Sequence, residues 1–243
     1  MISYSMMSSP GSRKCNEDYV EMSSVDGSYV FVLADGLGGH GGGDEASACV
    51  VKEVIDVFER ERDSDKYLSH AFEDAQLCLL QKKKLTGNKE DMKSTMAILH
   101  ITENQIKWGH IGDSRLYYFY RDHMVTRTLD HSVPQMLALS GQIKEKEIRN
   151  HVDRNKVLRV LGTPWEGESY SLSEPVPLKE DQAFVLCSDG FWELITEKEM
   201  VKTLKQSSSV AQWIKKMEKI VLERGTGKDM DNYSAICVYI SSE

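Results

Sequence analysis

Val30-Phe31-Val32-Leu33-Ala34-Asp35-Gly36-Leu37-Gly38-Gly39-His40-Gly41-Gly42-Gly43-Asp44-Glu45-Ala46-Ser47 joins an apolar run to a glycine-rich loop and the start of an amphipathic segment. Residues 36–41, GLGGHG, satisfy the G-x-G-x-x-G pattern of dinucleotide-binding loops. A dinucleotide fold also needs a second parallel strand soon after the first helix, ending in an acidic residue about 20 positions beyond the glycines. Position 56 is Asp, but it lies within the amphipathic run EASACVVKEVIDVFER, and no strand pattern returns until about residue 94. Asp35 also stands directly before the first glycine, where its charge would repel a pyrophosphate. These glycines serve another chemistry, and the sheet is not doubly wound.

Outward from this stretch, DYVEMSS and YVFVLA read as strands separated by an Asp26-Gly27 turn. Apolar residues three and four apart predict helices over 44–62 and 65–85. TMAILHI, QIKWGHI and RLYYFY follow as short strands. Residues 133–155 are polar and weakly helical, broken by Pro134 and Gly141. Strands return at SYSLS and AFVLCS, helices at 197–205 and 209–223, and a last strand at YSAICVYI. Strands in runs with helices in pairs predict an α+β layered domain. No repeat and no linker interrupts residues 1–243, which are expected to form a single domain.

Composition narrows the function classes. The 243 residues carry a net charge of −8, which argues against nucleic acid or an anionic membrane as the main partner. No apolar run approaches the ~18 residues of a membrane span. The N-terminus has no basic flank before an apolar core, so the expected location is cytoplasmic. Five cysteines, Cys15, Cys49, Cys78, Cys187 and Cys237, form no C-x-x-C pair, which fits a reducing compartment. None is followed six positions later by Arg, which excludes a cysteine phosphatase: positions 21, 55, 84, 193 and 243 hold Glu, Ile, Lys, Glu and Glu.

Acidic residues stand where strands end. VFVLADG closes on Asp35-Gly36, and AFVLCSDG repeats the grammar at Asp189-Gly190. Asp-Gly is a hairpin signal, but each pair is followed by a helical pattern rather than a returning strand. Both carboxylates are therefore expected at strand ends facing one mouth. Asp113 in HIGDSRLYY, Asp231 before the final strand, and Glu17 and Asp18 at the first are further candidates. For Asp113 a plain turn, with the carboxylate bonding its own backbone, is the competing reading. Gathered carboxylates repel, and a divalent cation relieves them; all-oxygen donors select Mg²⁺ or Mn²⁺ over zinc. A carboxylate bridging two ions about 3.5–4 Å apart makes a two-metal hydrolase. Arg13, five residues before Asp18, is either a surface residue or a bidentate clamp for a phosphate.

In this order the motifs resemble the metal-dependent serine/threonine protein phosphatases of type 2C, in their bacterial-style branch. GSRKCNEDY is similar to the family's opening Arg-to-Asp segment and VLADGLGGHGGGDEAS to its metal loop. KSTMAILHI, GHIGDSRLYY, LDHSVPQML, HVDRNKVLRVLG, VLCSDGFWELI and DNYSAICV complete the series. The resemblance implies an αββα sandwich, two antiparallel sheets flanked by helix pairs, across nearly the whole chain. It implies that Asp35 bridges two Mn²⁺ or Mg²⁺ ions and that the Gly36 carbonyl ligates one. Asp189 and Asp231 would bind the other, Glu17 and Asp18 would act partly through water, and Asp113 with Asp189 would hold a weaker third ion. Arg13 would take the phosphate, and 133–155 would be a flap beside the cleft.

The implied reaction is one-step hydrolysis of phosphoserine or phosphothreonine in a protein by a metal-bridging hydroxide, without a phosphoenzyme and reversing a kinase. Its rivals are a metal-dependent phosphatase of small molecules and an inactive phosphoprotein-binding module. The chain departs from the family pattern at Leu37, where animal members carry His, at Asp44, and at Lys93 before Ser94. His40 lies three residues beyond Leu37, either as a loop histidine or as a general acid.

Overall fold

A computed structural model describes residues 1–38, 42–87, 92–167 and 169–242; His40 lies outside them. Along the chain come β1 (Ile2–Ser9), β2 (Asp18–Val25), β3 (Ser28–Leu37), α1 (Gly43–Glu61) and α2 (Tyr67–Thr86). Next are β4 (Lys93–Ser94), β5 (Met96–Ile101), β6 (Gln105–Ile111), β7 (Arg115–Tyr120), β8 (His123–Arg127) and α3 (Val133–Leu139). A 3₁₀ turn spans Glu145–Asn150, and β9 (Ser171–Leu172), β10 (Val176–Pro177) and β11 (Gln182–Cys187) follow. The chain finishes with α4 (Asp189–Trp192), α5 (Glu197–Lys205), α6 (Val210–Gly225) and β12 (Tyr233–Ile240).

The strands form two antiparallel sheets. One runs β1-β12-β11-β7-β8; the other runs β10-β6-β5-β3-β2, with β4 on β3 and β9 on β6. Alternation along each central strand sorts side chains between its two faces. In β3, Val30, Val32 and Ala34 pack on α1 and α2, whereas Phe31 and Leu33 point between the sheets. In β11, Val185 and Cys187 pack toward α5 and α6, whereas Phe184 and Leu186 meet the opposing sheet. Burial on both faces explains why these strands read as unbroken apolar runs. Three apolar layers thus bind four layers of structure, the αββα sandwich expected of the chain.

That alternation also positions chemistry. Asp35 shares the inter-sheet face of Phe31 and Leu33, one step past the last buried apolar residue of β3, and its register partner on β2 is Asp18. Asp26 and Gly27 take positive φ values of 49° and 79°, the twist a two-residue hairpin needs, and set this register.

The strand reading of residues 1–127 misses β1 and β8. β1 is Ser-rich and half exposed, and β8 is exposed along most of its length. Residues 133–155 are not a free loop. Ser132 caps α3, and Ile148 of the 3₁₀ turn is buried in the core beneath α5 and α6.

Candidate metal centre

Glu17, Asp35, Gly36, Asp113, Asp189 and Asp231 line one cavity of about 280 Å³ at the end of the inter-sheet layer. Two expected site residues stand outside it. Asp18 lies buried behind Asp35, its Oδ2 accepting a 2.7 Å bond from Ser188 Oγ while its Oδ1 has no partner. Arg13 grips both oxygens of Asp231, from Nε and Nη2, at 3.1 Å each.

Glycine builds this mouth where backbones touch. A Cβ on Gly36 would sit 1.9 Å from the Gly43 carbonyl oxygen, so the end of β3 meets the start of α1 without room for a side chain. A Cβ on Gly190 would sit 2.1 Å from the Asn232 carbonyl oxygen, which brings Asp189 beside Asp231. Asn232 anchors the N-terminal segment, accepting from the Glu17 N–H at 2.8 Å and donating to the carbonyls of Pro10 and Cys15.

A second layer holds the acids in place. Thr95 N–H and Ser94 Oγ both donate to the Asp35 carbonyl, at 2.8 and 3.1 Å. Thr95 Oγ1 accepts from the Asp35 N–H at 3.0 Å and bonds Ser114 Oγ at 2.7 Å, linking Asp35 to the Asp113 turn. Trp192 Nε1 donates to the Asp113 carbonyl at 2.9 Å, and Arg115 stacks on that indole, 3.4 Å from its centre. Arg115 is buried and forks onto Asp130 at 2.8 and 2.7 Å, while His131 Nδ1 accepts from Gly112 N–H. Sequence motifs drew attention to these segments; the roles of Thr95, Arg115, Asp130, Ser188 and Trp192 depend on contacts that spacing does not reveal. Asp113 is buried and lines the cavity, in the turn between β6 and β7.

The electrostatics follow from crowding acids in a partly buried mouth. Burial, then Asp18, Asp189, Asp113 and Asp231, push Asp35 well above the carboxylate range. Burial and then Asp189 do the same to Asp113. Asp189 is raised to about 6 by burial and Asp231, and Asp18 to about 7 by burial, against the hydrogen bonds from Ser188 and Ser234. Each group favours a proton or a cation, since either removes the repulsion. The donors fit hard divalent ions: all are oxygens, a buried carboxylate oxygen of Asp18 has no partner, and no Cys or His lines the cavity among the described residues. The acids line one cavity, but among the described residues no three of them stand close enough together to form a ready-made cage. Mg²⁺-like ions do not require one, because they keep several waters and few carboxylates.

The family model for protein phosphatase 2C matches residues 11–232. This chain belongs to the protein phosphatase 2C family. It is 27% identical over 189 residues to the serine/threonine phosphatase stp of Listeria innocua, covering 75% of this chain and 74% of that one. Among solved structures, serine/threonine phosphatase Stp1 from Staphylococcus aureus superposes with a TM-score of 0.88 at 25% identity, covering 100% of this chain and 96% of that one. The catalytic domain of the serine/threonine protein phosphatase PstP, solved with two manganese ions, superposes with a TM-score of 0.85 at 24% identity over 99% of both chains. That likeness establishes the shared phosphatase 2C architecture. Among the described residues no helix is long and apolar enough to cross a membrane.

Proposed function

We propose that this chain is a metal-dependent serine/threonine protein phosphatase, a single catalytic domain over 1–243 with 133–155 as a flap beside the cleft. Its substrates are phosphoserine and phosphothreonine in proteins, the products of a serine/threonine kinase, and it works in the cytoplasm. The observation that carries the reading is the convergence of Glu17, Asp35, Asp113, Asp189 and Asp231 on one cavity, with Arg13 held on Asp231.

Asp35, the Gly36 carbonyl, Asp189 and Asp231 would hold two Mn²⁺ or Mg²⁺ ions, with Glu17 and Asp18 in support and Asp113 with Asp189 toward a weaker third. When bound, such ions neutralise charge on phosphoryl oxygens and lower the pKa of water toward neutrality. The chain's own residues do the rest. Arg13 presents the planar fork that matches two phosphate oxygens, and exchanging Asp231 for substrate is its step in binding. Thr95 and Ser94 keep the Asp35 backbone fixed, so little reorganisation accompanies the reaction. No cysteine lines the cavity among the described residues: Cys187 and Cys237 are buried, which pushes both thiols up, and the exposed Cys15 is pushed up by desolvation and by Asp44. This supports direct hydrolysis without a phosphoenzyme.

The test is turnover of a phosphothreonine peptide and of p-nitrophenyl phosphate by the purified protein, with Mn²⁺ and with chelator. Activity is expected with Mn²⁺ and near-complete loss with chelator. Equal turnover in both conditions would overturn the reading.

A further inference from the structure

Beside the carboxylate cavity lies a groove of about 400 Å³ that shares Asp189, Asp231 and Asn155 with it. Glu193 and Asp229 also line the groove, each set against an arginine, Arg154 and Arg13, and in a chain of net charge −8 the remaining lining gathers Arg149, Arg154 and Lys228 with the amide of Asn150. Two separate segments contribute them: the 3₁₀ turn and its continuation on one side, the turn after α6 on the other. Arg154 is matched within the fold, its Nε 3.2 Å from Glu193. The other two cations have capacity to spare. Lys228 has no ion-pair partner among the described residues. Arg149 spends Nη2 on Glu197 and stacks its guanidinium 5.6 Å from the Trp192 ring centre, yet its buried Nη1 has no acceptor.

Spare cationic donors beside a reaction centre select for anions, and they do so by repelling cations as much as by attracting anions. Because the two cavities share walls, a substrate phosphate at the carboxylate cavity leaves neighbouring residues of the same peptide within reach of the groove. An extended peptide advances about 3.3–3.6 Å per residue, so three residues span roughly 10 Å. We propose that this groove is a substrate subsite taking an anionic side chain, a carboxylate or a second phosphate, within three residues of the phosphoester being cleaved. The proposal rests on the phosphatase reading and adds to it a chemical preference among phosphoproteins.

The experiment uses phosphoserine peptides carrying Glu, Gln, Lys or a second phosphoserine at each position from −3 to +3, assayed with Mn²⁺ for kcat/KM. Matching difluoromethylene-phosphonate peptides, which resist hydrolysis, give Kd by fluorescence anisotropy. At one position at least, an anion is expected to beat Gln by about tenfold in both measurements, the size of one charge-assisted contact. Lys there is expected to fall below Gln. In the double variant Lys228→Ala/Arg149→Ala the anion-to-Gln ratio should shrink to within about twofold, whatever happens to the absolute rate. A gain for Glu alone or for phosphoserine alone supports the subsite and identifies its anion. No gain at any position, or a gain the double variant retains, overturns it. Binding ratios without any hydrolysis would separate failure of the phosphatase reading from failure of the subsite.

Discussion

Asp18 and Asp35 are register partners across β2 and β3, a buried carboxylate directly opposite a half-buried one. Like charges in that relation oppose strand pairing. Burial, with the hydrogen bonds of Ser188 and Ser234 acting against it, leaves Asp18 at about 7, and burial and then Asp18 push Asp35 well above the usual carboxylate range. A group raised in the folded state contributes stability below its unfolded pKa, near 4, and loses it as pH rises through the folded value. In chelator, the thermal midpoint should therefore fall between pH 5 and 8, and less steeply in Asp35→Asn. Mn²⁺ should raise the midpoint of the wild type at pH 8 by more than that of the variant. Identical metal-induced shifts in the two proteins would remove Asp35 from the ligand set.

Arg13 and Asp231 form a bidentate pair, so the arginine competes for the same oxygens a cation would use. Arg13→Ala should tighten Mn²⁺ binding measured by calorimetry while weakening kcat/KM on a phosphopeptide by about 1–3 kcal/mol, the strength of a charge-assisted contact. Arg13→Lys should fall between, with the loss mostly in KM. Unchanged kinetics in both variants would return Arg13 to the role of a surface residue.

Arg115 and Asp130 are both buried and form a two-pronged pair beneath the Asp113 turn. Removing one partner strands a charge, so Asp130→Ala should cost about 3–5 kcal/mol in urea unfolding. Arg115→Met with Asp130→Leu should recover part of that loss, since a well-packed apolar pair tolerates the site better than a lone charge. A cost below about 1 kcal/mol for the single variant would show that Arg115 finds another anion.

His100 is buried against Phe58 and Tyr67, with Nε2 lacking a partner, and burial lowers it to about 4. Its unfolded value lies near 6.5, so the unfolded chain takes up the proton first and stability falls as pH drops from about 6.5 toward 4. Between pH 7 and 5 this one group should account for about 2 kcal/mol of lost stability. His100→Phe should lose that much less over the same interval in urea titrations. Equal losses in both proteins would mean that His100 is protonated in the fold.

Much of the fold is legible in a line of residues. Central strands such as Val30–Ala34 and Phe184–Cys187 are buried on both faces, and that condition demands an unbroken apolar run. Edge strands meet no such demand. β1, at the sheet margin, mixes Ser with Met and Tyr, and β8 is exposed along most of its length. The acids at strand ends are visible for the same reason as the strands: a charge directly after a buried apolar run marks where the core stops.

Residue order alone establishes a layered α+β chain, the Asp-Gly pairs near the end of β3 and just after β11, and oxygen donors suited to hard cations. Those properties depend on local periodicity and side-chain chemistry, which travel with the chain. The partners of those donors do not. Arg13 reaches Asp231 across 218 positions, and Ser188 reaches Asp18 across 170. The groove likewise exists only because the turn after α6 brings Lys228 beside Arg149 and Arg154. Hydrogen bonds and ion pairs act over a few ångströms of space, and closing the two sheets over their shared core sets which distant residues come within that range.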